Sequence, residues 1–209
     1  MIKLKVCGMK EPQNILDVAA LNPDYIGFIF YERSKRFIGA LNPMELSQLP
    51  ENIAKVGVFV NHDIIAVVQK AKMYDLNLIQ LHGQESADYV AALKQQFLGT
   101  NTQLMKAFGI DDQFDFRDLE PYMDVVDYFL FDTQTPDHGG SGKIFDWTLL
   151  QNYTLDKPYF LSGGIGLESL DAIKALTDTR LYAVDVNSRF ETEPGRKDVN
   201  KLKDFKRKL

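Results

Sequence analysis

Short apolar runs recur along the chain, and most of them are followed by a segment with helical spacing. The runs are rich in Val, Ile, Phe and Tyr, a composition that favours buried β-strands. There are eight of them: IKLKVC, DYIGFIF, KVGVFV, LNLIQL, TQLMKAF, DYFLFD, PYFLS and LYAVDV. The pattern therefore predicts eight strands, each with its own connection.

Four connections have the apolar spacing of an amphipathic helix. They follow the third, fourth, seventh and eighth runs and read IIAVVQKAKMY, SADYVAALKQQF, LESLDAIKALT and DVNKLKDFKRKL. The segment NPMELSQLP after the second run is short, and DDQFDFRDLEPY after the fifth is poorly periodic and contains a proline. The first four segments are predicted helices, and the last two are weaker candidates.

Strands that alternate with helices are joined by crossovers and run parallel, which is typical of the α/β class. Eight such units favour a closed (β/α)₈ barrel of the TIM type, although periodicity alone leaves an open doubly wound sheet as the alternative. No Pro/Gly/Ser-rich linker or charge block divides the chain, so we expect residues 1–209 to form one domain.

Charge and composition exclude several classes of protein. The net charge of -5 argues against a nucleic-acid partner, and the basic cluster KLKDFKRKL is typical of the solvated face of a last helix. No apolar stretch has the length of a membrane span or of a signal peptide. Cys7 is the single cysteine, so it has no internal disulfide partner. We expect a cytoplasmic protein with a reduced thiol and no membrane partner.

Reactive side chains fall at the ends of the predicted strands, where this type of barrel carries its catalytic groups. They are Cys7 after the first strand, His82 after the fourth, Asp132 at the end of the sixth and Asp185 in the eighth. Each has a structural alternative: a small buried thiol, a histidine bonded within its loop, or a carboxylate that caps a helix. Their position at one rim favours a functional role.

Two glycine-rich segments offer backbone N–H groups to a phosphate. They are GGSGK at 139–143, which is predicted to fold over a ligand as a lid, and SGGIG at 162–166, for which a plain tight turn is the alternative. Arg36, next to Phe37, is suited to bind an aromatic acid and is a candidate source of positive charge near Cys7. The histidines show no metal-binding spacing, and no metal site is predicted.

These segments together resemble the phosphoribosylanthranilate isomerase family of tryptophan biosynthesis. The matching stretches are KVCGMK, IGFIFYERSKRFI, VGVFVN, IQLHGQE, LFDTQTPDHGGSGKIFDW, FLSGGI, AVDVNS and PGRKD. The resemblance implies a closed barrel and a cofactor-free Amadori rearrangement of N-(5-phosphoribosyl)anthranilate. It implies this small molecule as the substrate, with the enzyme a monomer or homodimer.

The resemblance also implies a role for each motif residue. Asp132 is the implied general acid and Cys7 the implied general base, while Arg36 holds the anthranilate carboxylate. Asp185 is implied to contact the ribose hydroxyls or the anthranilate nitrogen. The remaining implied substrate-binding residues are His82, Gly142, Lys143, Gly163, Gly164 and Ser188.

The loop after the eighth strand departs from the family pattern. It reads DVNSRFE, so Asn187 replaces a serine and Arg189 a glycine, which changes the expected phosphate cradle. Two rival families are disfavoured. The imidazole-carboxamide ribotide isomerases use two aspartates, and this chain has Cys7 in place of the first. Ribulose-phosphate epimerases need metal-binding histidines at the strand ends, which this chain lacks. A barrel that only binds a phosphorylated metabolite is the alternative outside the enzymes.

Overall fold

The strands of the protein form a closed parallel barrel. A computed structural model describes residues 2–133 and 145–209. The eight strands pair in chain order, and β1 also pairs with β8, which closes the barrel. They are β1 Lys3–Val6, β2 Tyr25–Ile29, β3 Ala54–Phe59, β4 Leu78–Leu81, β5 Gln103–Ile110, β6 Tyr128–Thr133, β7 Tyr159–Leu161 and β8 Leu181–Val186. All eight predicted strands are confirmed, and so is the closed barrel rather than the open sheet.

The strands are apolar because both of their faces are buried. Alternate side chains fill the barrel interior, and the others pack under the helices. The interior cluster contains Tyr25, Val56, Leu78, Met105, Ala107, Tyr128, Leu130, Phe160 and Ala183. Since side chains alternate along a strand, Ala183 in the interior places Asp185 there too, one layer nearer the carboxyl end. The polar groups at the strand ends thus form the top layer of this interior.

The predicted helices are present, with small differences at their ends. The helices are α1 Pro12–Ala19, α2 Pro43–Leu46, α3 Ile64–Met73, α4 Ala87–Gln95, α5 Leu170–Ala175 and α6 Val199–Lys208. Asp63, Ser86 and Asp198 cap α3, α4 and α6 by accepting a backbone N–H of the first turn. Among the described residues, no helix is both long and apolar enough to cross a membrane.

Several short segments differ from the sequence pattern. The segment after β5 forms a 3₁₀ helix over Phe116–Tyr122 and no α-helix, because Pro121 lacks the N–H that an α-helical hydrogen bond requires. A further 3₁₀ helix spans Leu167–Ser169 just before α5, and α1 and a 3₁₀ helix over Trp147–Asn152 were not assigned from the pattern.

A small hairpin after β8 was also not predicted. It follows a 3₁₀ turn at Ser188–Phe190 and consists of β9 Glu191–Glu193 and β10 Arg196–Lys197, which pair antiparallel. Asn14 of α1 fixes it, because its side chain accepts from Lys197 N at 2.7 Å and donates to Lys197 O at 3.0 Å. The hairpin therefore lies against the barrel beside β1 and α1.

Candidate active site

Cys7 lies directly after β1, buried in the top layer of the barrel interior. Its backbone N donates to Val186 O at 2.9 Å, which continues the β1–β8 pairing. Gly27 of β2 leaves room for the thiol, because a Cβ there would lie 2.8 Å from the Cys7 sulfur. The next residue, Gly8, has φ +75, a conformation that glycine adopts without strain. The glycines on both sides thus determine where the thiol lies.

Lys5 lies one layer below Cys7 on the same face of β1, and its side chain is 0% exposed. Its Nζ is 2.8 Å from Asp185 Oδ2, and its charge interacts electrostatically with the Cys7 thiol. Burial alone would lower the pKa of Lys5, but Asp185 and Cys7 raise it above its ordinary value. A charged ammonium group therefore links the thiol to the Asp185 carboxylate.

Burial raises the pKa of the Cys7 thiol, while Lys5 and Lys197 lower it and Asp185 raises it, and the net shift is upward. In the sequence, Arg36 and its loop were the candidate source of positive charge near this thiol. The two cations with the largest effect are instead Lys5 and Lys197. At neutral pH the thiol is thus protonated, with the side chains of two buried lysines close by.

Asp132 ends the buried part of β6 and is paired on both of its oxygens. Its Oδ1 accepts from Thr133 N at 2.8 Å, and its Oδ2 lies 3.4 Å from His82 Nε2. Gln80 Nε2 is 2.9 Å from the other ring nitrogen of His82, which is an acceptor if the Gln80 amide donates. The ring proton is then on Nε2, facing Asp132. His82 thus touches one of the candidate proton-transfer groups.

Asp185 connects the two sides of the site. Its Oδ2 is hydrogen-bonded to Lys5. Burial raises the pKa of Asp185 and Lys5 lowers it, while Asp132 raises it and His82 lowers it, and the net shift is upward. Its Oδ1 is buried and has no hydrogen-bond partner among residues 2–133 and 145–209. A buried acceptor without a partner is costly, so this oxygen is suited to a donor on a ligand.

Arg36 lies in the loop after β2 and reaches the rim beside Cys7. Its Cδ would lie 2.7 Å from a Cβ at Gly8. Its Nε donates to Glu191 Oε1 at 2.8 Å and its Nη2 to Glu191 Oε2 at 2.7 Å. Lys197 Nζ donates to Glu191 Oε1 at 2.6 Å and to Asn187 Oδ1 at 2.7 Å. Arg36, the residue predicted to bind an aromatic acid, is thus held by the carboxylate of Glu191.

Both glycines after β7 have a left-handed backbone conformation. Gly163 and Gly164 have φ +88 and φ +66. A Cβ at Gly163 would meet Thr133 Oγ1 at 2.3 Å and Asp132 Oδ1 at 2.9 Å, so this loop packs directly on the end of β6. Glycine is required at that point both by conformation and by space.

Ser188 begins the 3₁₀ turn after β8. Arg189, the departure in this loop, has Nη1 3.7 Å from Glu168 Oε1, and Glu168 lies in the segment after β7. The two loops expected to enclose a phosphate are therefore in contact through a surface ion pair. Gly142 and Lys143, and with them the expected lid, lie outside the described residues.

The structure brings most of the predicted residues to one rim. Asp132 and His82 are in contact, Asp185 interacts electrostatically with both and with Cys7, and Arg36 lies beside Gly8. Sequence reasoning missed Lys5, Glu191 and Lys197. The alternation of β1 could have identified Lys5, since it shares a face with Cys7. Lys197 lies in PGRKD, one of the stretches that carry the resemblance, but no role was inferred for it; no pattern marks Glu191, because its place depends on the hairpin.

Comparisons with known proteins identify the family of the chain. Residues 4–208 match the family model described as N-(5'phosphoribosyl)anthranilate (PRA) isomerase. The N-(5'-phosphoribosyl)anthranilate isomerase of Parabacteroides distasonis is 47% identical over 204 residues, which cover 97% of this chain and 90% of the relative.

Two solved structures share the whole fold. The phosphoribosyl anthranilate isomerase of Thermus thermophilus superposes with a TM-score of 0.86 at 26% identity, covering 100% of this chain and 98% of its own. A phosphoribosyl anthranilate isomerase in complex with reduced 1-(o-carboxyphenylamino)-1-deoxyribulose 5-phosphate has a TM-score of 0.79 at 31% identity, covering 98% and 96%. Because the family model matches almost the whole chain and a relative is 47% identical over 97% of it, the chain belongs to the N-(5'-phosphoribosyl)anthranilate isomerase family, and it is an isomerase of tryptophan biosynthesis.

Proposed function

We propose that the protein converts N-(5-phosphoribosyl)anthranilate into 1-(2-carboxyphenylamino)-1-deoxyribulose 5-phosphate, with Asp132 as general acid and Cys7 as general base. The observation that carries the assignment is the placement of a buried carboxyl and a buried thiol at the ends of β6 and β1, in one inward-facing layer. The two groups approach the mouth of the barrel from different strands. A sugar bound between them exposes its ring oxygen to one group and its C2 proton to the other.

The first step opens the furanose ring. Asp132 gives its proton to the ring oxygen, the bond from that oxygen to C1 breaks, and the nitrogen lone pair forms the C1–N double bond of a Schiff base. His82 and the backbone of Thr133 hold the carboxyl group at both oxygens, which fixes its direction. Asp132 leaves this step as a carboxylate.

The second step moves a proton away from C2. Cys7, as a thiolate, takes the proton, and the C2–H electrons form the double bond of an enolamine that then tautomerises to the ketone. The thiolate is a charge in a buried site, and Lys5 and Lys197 are the nearby groups that stabilise it. The proposed base gives these two buried lysines a role, because their positive charges favour the thiolate form of Cys7.

Substrate binding uses the remaining rim groups. Arg36 binds the anthranilate carboxylate, and the unpaired Oδ1 of Asp185 accepts from a ribose hydroxyl or the anthranilate nitrogen. The phosphate is bound at Gly163, Gly164 and Ser188, with His82 on the sugar. Gly142 and Lys143 belong to the same proposed substrate-binding set and lie outside the described residues.

The test is conversion of freshly generated substrate by Cys7→Ser and Asp132→Asn, with product binding measured in parallel. We expect turnover to fall by about a hundredfold or more in each variant, as is usual for loss of a general acid or base. Product binding should persist, because the phosphate and carboxylate ligands remain. Asp178→Asn, which alters an Arg–carboxylate pair ahead of β8, is the control and should retain turnover. Retained turnover in Cys7→Ser would contradict the proposal.

A further inference from the structure

The bond between Arg36 and Glu191 leaves one edge of the guanidinium available. Nε and one N–H of Nη2 are directed at Glu191. The other edge consists of Nη1 and the second N–H of Nη2. Among the described residues, Glu191 is the only acceptor of the Arg36 guanidinium, so this other edge has no acceptor. A planar guanidinium can bind two carboxylates in this way, one on each edge.

The carboxylate of Glu191 is held in turn by several groups. Its side chain is 5% exposed, and its Oε1 also accepts from Lys197 Nζ and from Gly195 N at 3.1 Å. Burial alone would raise the pKa of Glu191, but the hydrogen bonds from Arg36 and Lys197 lower it below its ordinary value. The group is therefore a charged and fixed acceptor at neutral pH.

The charges in this cluster do not cancel. Arg36 carries one positive charge and Glu191 one negative charge. Burial lowers the pKa of Lys197, but Glu191 raises it in part, and Lys197 Nζ lies 2.6 Å from Glu191 Oε1 as the second cation of the cluster. A carboxylate that positions an arginine would by itself repel an anionic ligand at the other edge. The second cation offsets this repulsion, so a net positive charge faces the rim.

The anchor of the cluster is a rigid part of the fold. Glu191 and Lys197 face each other across β9 and β10, and Asn14 of α1 binds the backbone of Lys197 in both directions. Asn187, which replaces the family's serine, accepts from Lys197 Nζ at 2.7 Å and holds its side chain. The position of Arg36 is thus determined by α1 and by the hairpin after β8.

We propose that Glu191 is the positioning residue for Arg36, with Lys197 as its counter-charge, and that this pair sets the preference for substrates with an aromatic carboxylate. The inference rests on the proposed function, in which Arg36 binds that carboxylate. Glu191 and Lys197 do not touch the substrate. They orient the guanidinium so that its outer edge meets a carboxylate next to the aromatic ring.

The experiment compares two inhibitors by calorimetry. One is reduced 1-(2-carboxyphenylamino)-1-deoxyribulose 5-phosphate, and the other is the same molecule without the carboxylate. The ratio of their dissociation constants measures recognition of the carboxylate alone. The variant is Glu191→Gln/Lys197→Met, which removes one charge of each sign and leaves the net charge unchanged. Asp178→Asn is the matched control, since Asp178 also makes a two-bond contact with an arginine.

We expect the wild type and the control to prefer the carboxylated inhibitor by about ten- to a hundredfold. Arg36→Met should abolish the preference, and Glu191→Gln/Lys197→Met should reduce it by about tenfold. In an Arg36→Met background the pair of substitutions should have no further effect on the ratio, because Glu191 acts through Arg36. A purely structural role would weaken both inhibitors equally and leave the ratio unchanged.

Two outcomes overturn the inference, and they are distinguishable. If Arg36→Met abolishes the preference and Glu191→Gln/Lys197→Met leaves it intact, Glu191 does not position Arg36. If Arg36→Met itself leaves the preference intact, the proposed role of Arg36 fails and the inference fails with it. Glu191→Asp keeps the charge and withdraws the carboxylate by one methylene, and it replaces the double variant if that variant does not fold. It should lower the same ratio.

Discussion

At the scale of single residues, the surroundings of Cys7 determine how its thiol reacts. Burial disfavours the thiolate, and the ammonium group of Lys5 favours it. Without Lys5, burial would raise the pKa of Asp185 further, and the thiol would lose the cation with the largest effect on its pKa. The proposed role of Cys7 as a base therefore depends on a lysine that the substrate need not contact.

This dependence can be measured directly, because Cys7 is the single cysteine in the chain. The raised pKa predicts that alkylation of the free enzyme by iodoacetamide is slow at pH 7 and increases about tenfold per pH unit up to that pKa. Lys5→Met should react more slowly than the wild type at each pH, as followed by intact mass.

The control is Lys3→Met, two positions earlier on the same face of β1. Its Nζ is bonded to Tyr182 Oη at 2.7 Å, in the bottom layer of the barrel, and it makes no contact with the thiol. The Lys3→Met rate should match that of the wild type. Equal rates in Lys5→Met and the wild type would mean that Lys5 does not tune Cys7.

At the scale of elements, the hairpin of β9 and β10 is the part that sequence patterns could not anticipate. Most of the eight strands were predictable because they are apolar on both faces, and the longer helices because of their spacing. The hairpin is short and polar, and it is held by Asn14, which is 183 positions away from Lys197. Contacts of that range leave no local signal in the sequence.

Asn14 is accordingly a point at which the hairpin can be weakened. We expect Asn14→Leu to lower the free energy of unfolding by about 1–3 kcal/mol, because a buried N–H and a buried C=O of Lys197 lose their partners. The Michaelis constant should rise as well, since the hairpin carries Glu191. Urea unfolding and steady-state kinetics measure the two effects. Gln13→Ala, at the neighbouring exposed position of α1, should change neither, and a similar loss there would contradict the assignment.

At the scale of the whole molecule, two carboxylates whose pKa is lowered by arginine or lysine partners contribute to the stability in acid. Hydrogen bonds from Arg36 and Lys197 hold the pKa of Glu191 below its ordinary value despite burial, and those from Arg180 do the same for Asp178. A lowered pKa means that the unfolded chain binds protons first as the pH falls. The stabilisation is complete above the unfolded values, near pH 4 to 4.5, and is lost as the pH falls through the folded ones.

We therefore expect the free energy of unfolding to decline below about pH 4.5. The decline should be smaller in Asp178→Asn and in Glu191→Gln/Lys197→Met, as measured by urea unfolding at pH 7 and at pH 4. Asp75→Asn removes an exposed partner of Lys55 and should leave the pH dependence unchanged, since exposed pairs are screened by solvent. If the loss of unfolding free energy between pH 7 and pH 4 is the same in both test variants as in the wild type, other groups control the stability in acid.

Closure of the barrel was only partly predictable from the sequence, because it too depends on a contact between distant parts of the chain. Eight strand units are countable in the sequence, but the pairing of β1 with β8 is a contact across almost the whole chain. The same holds for the site, where the strand ends identified Cys7, Asp132 and Asp185, and the cations that surround the thiol became visible only in three dimensions.

The seam between β1 and β8 also orders events in time. Lys5 and Asp185 are 180 positions apart, so on a ribosome the first strand is made long before its neighbour exists. Until β8 emerges, β1 has one open edge, and the Lys5 ammonium and the Cys7 thiol remain in water. The Cys7 thiol therefore enters its buried surroundings only after β8 has been made, and the hairpin that brings Lys197 to it follows later still.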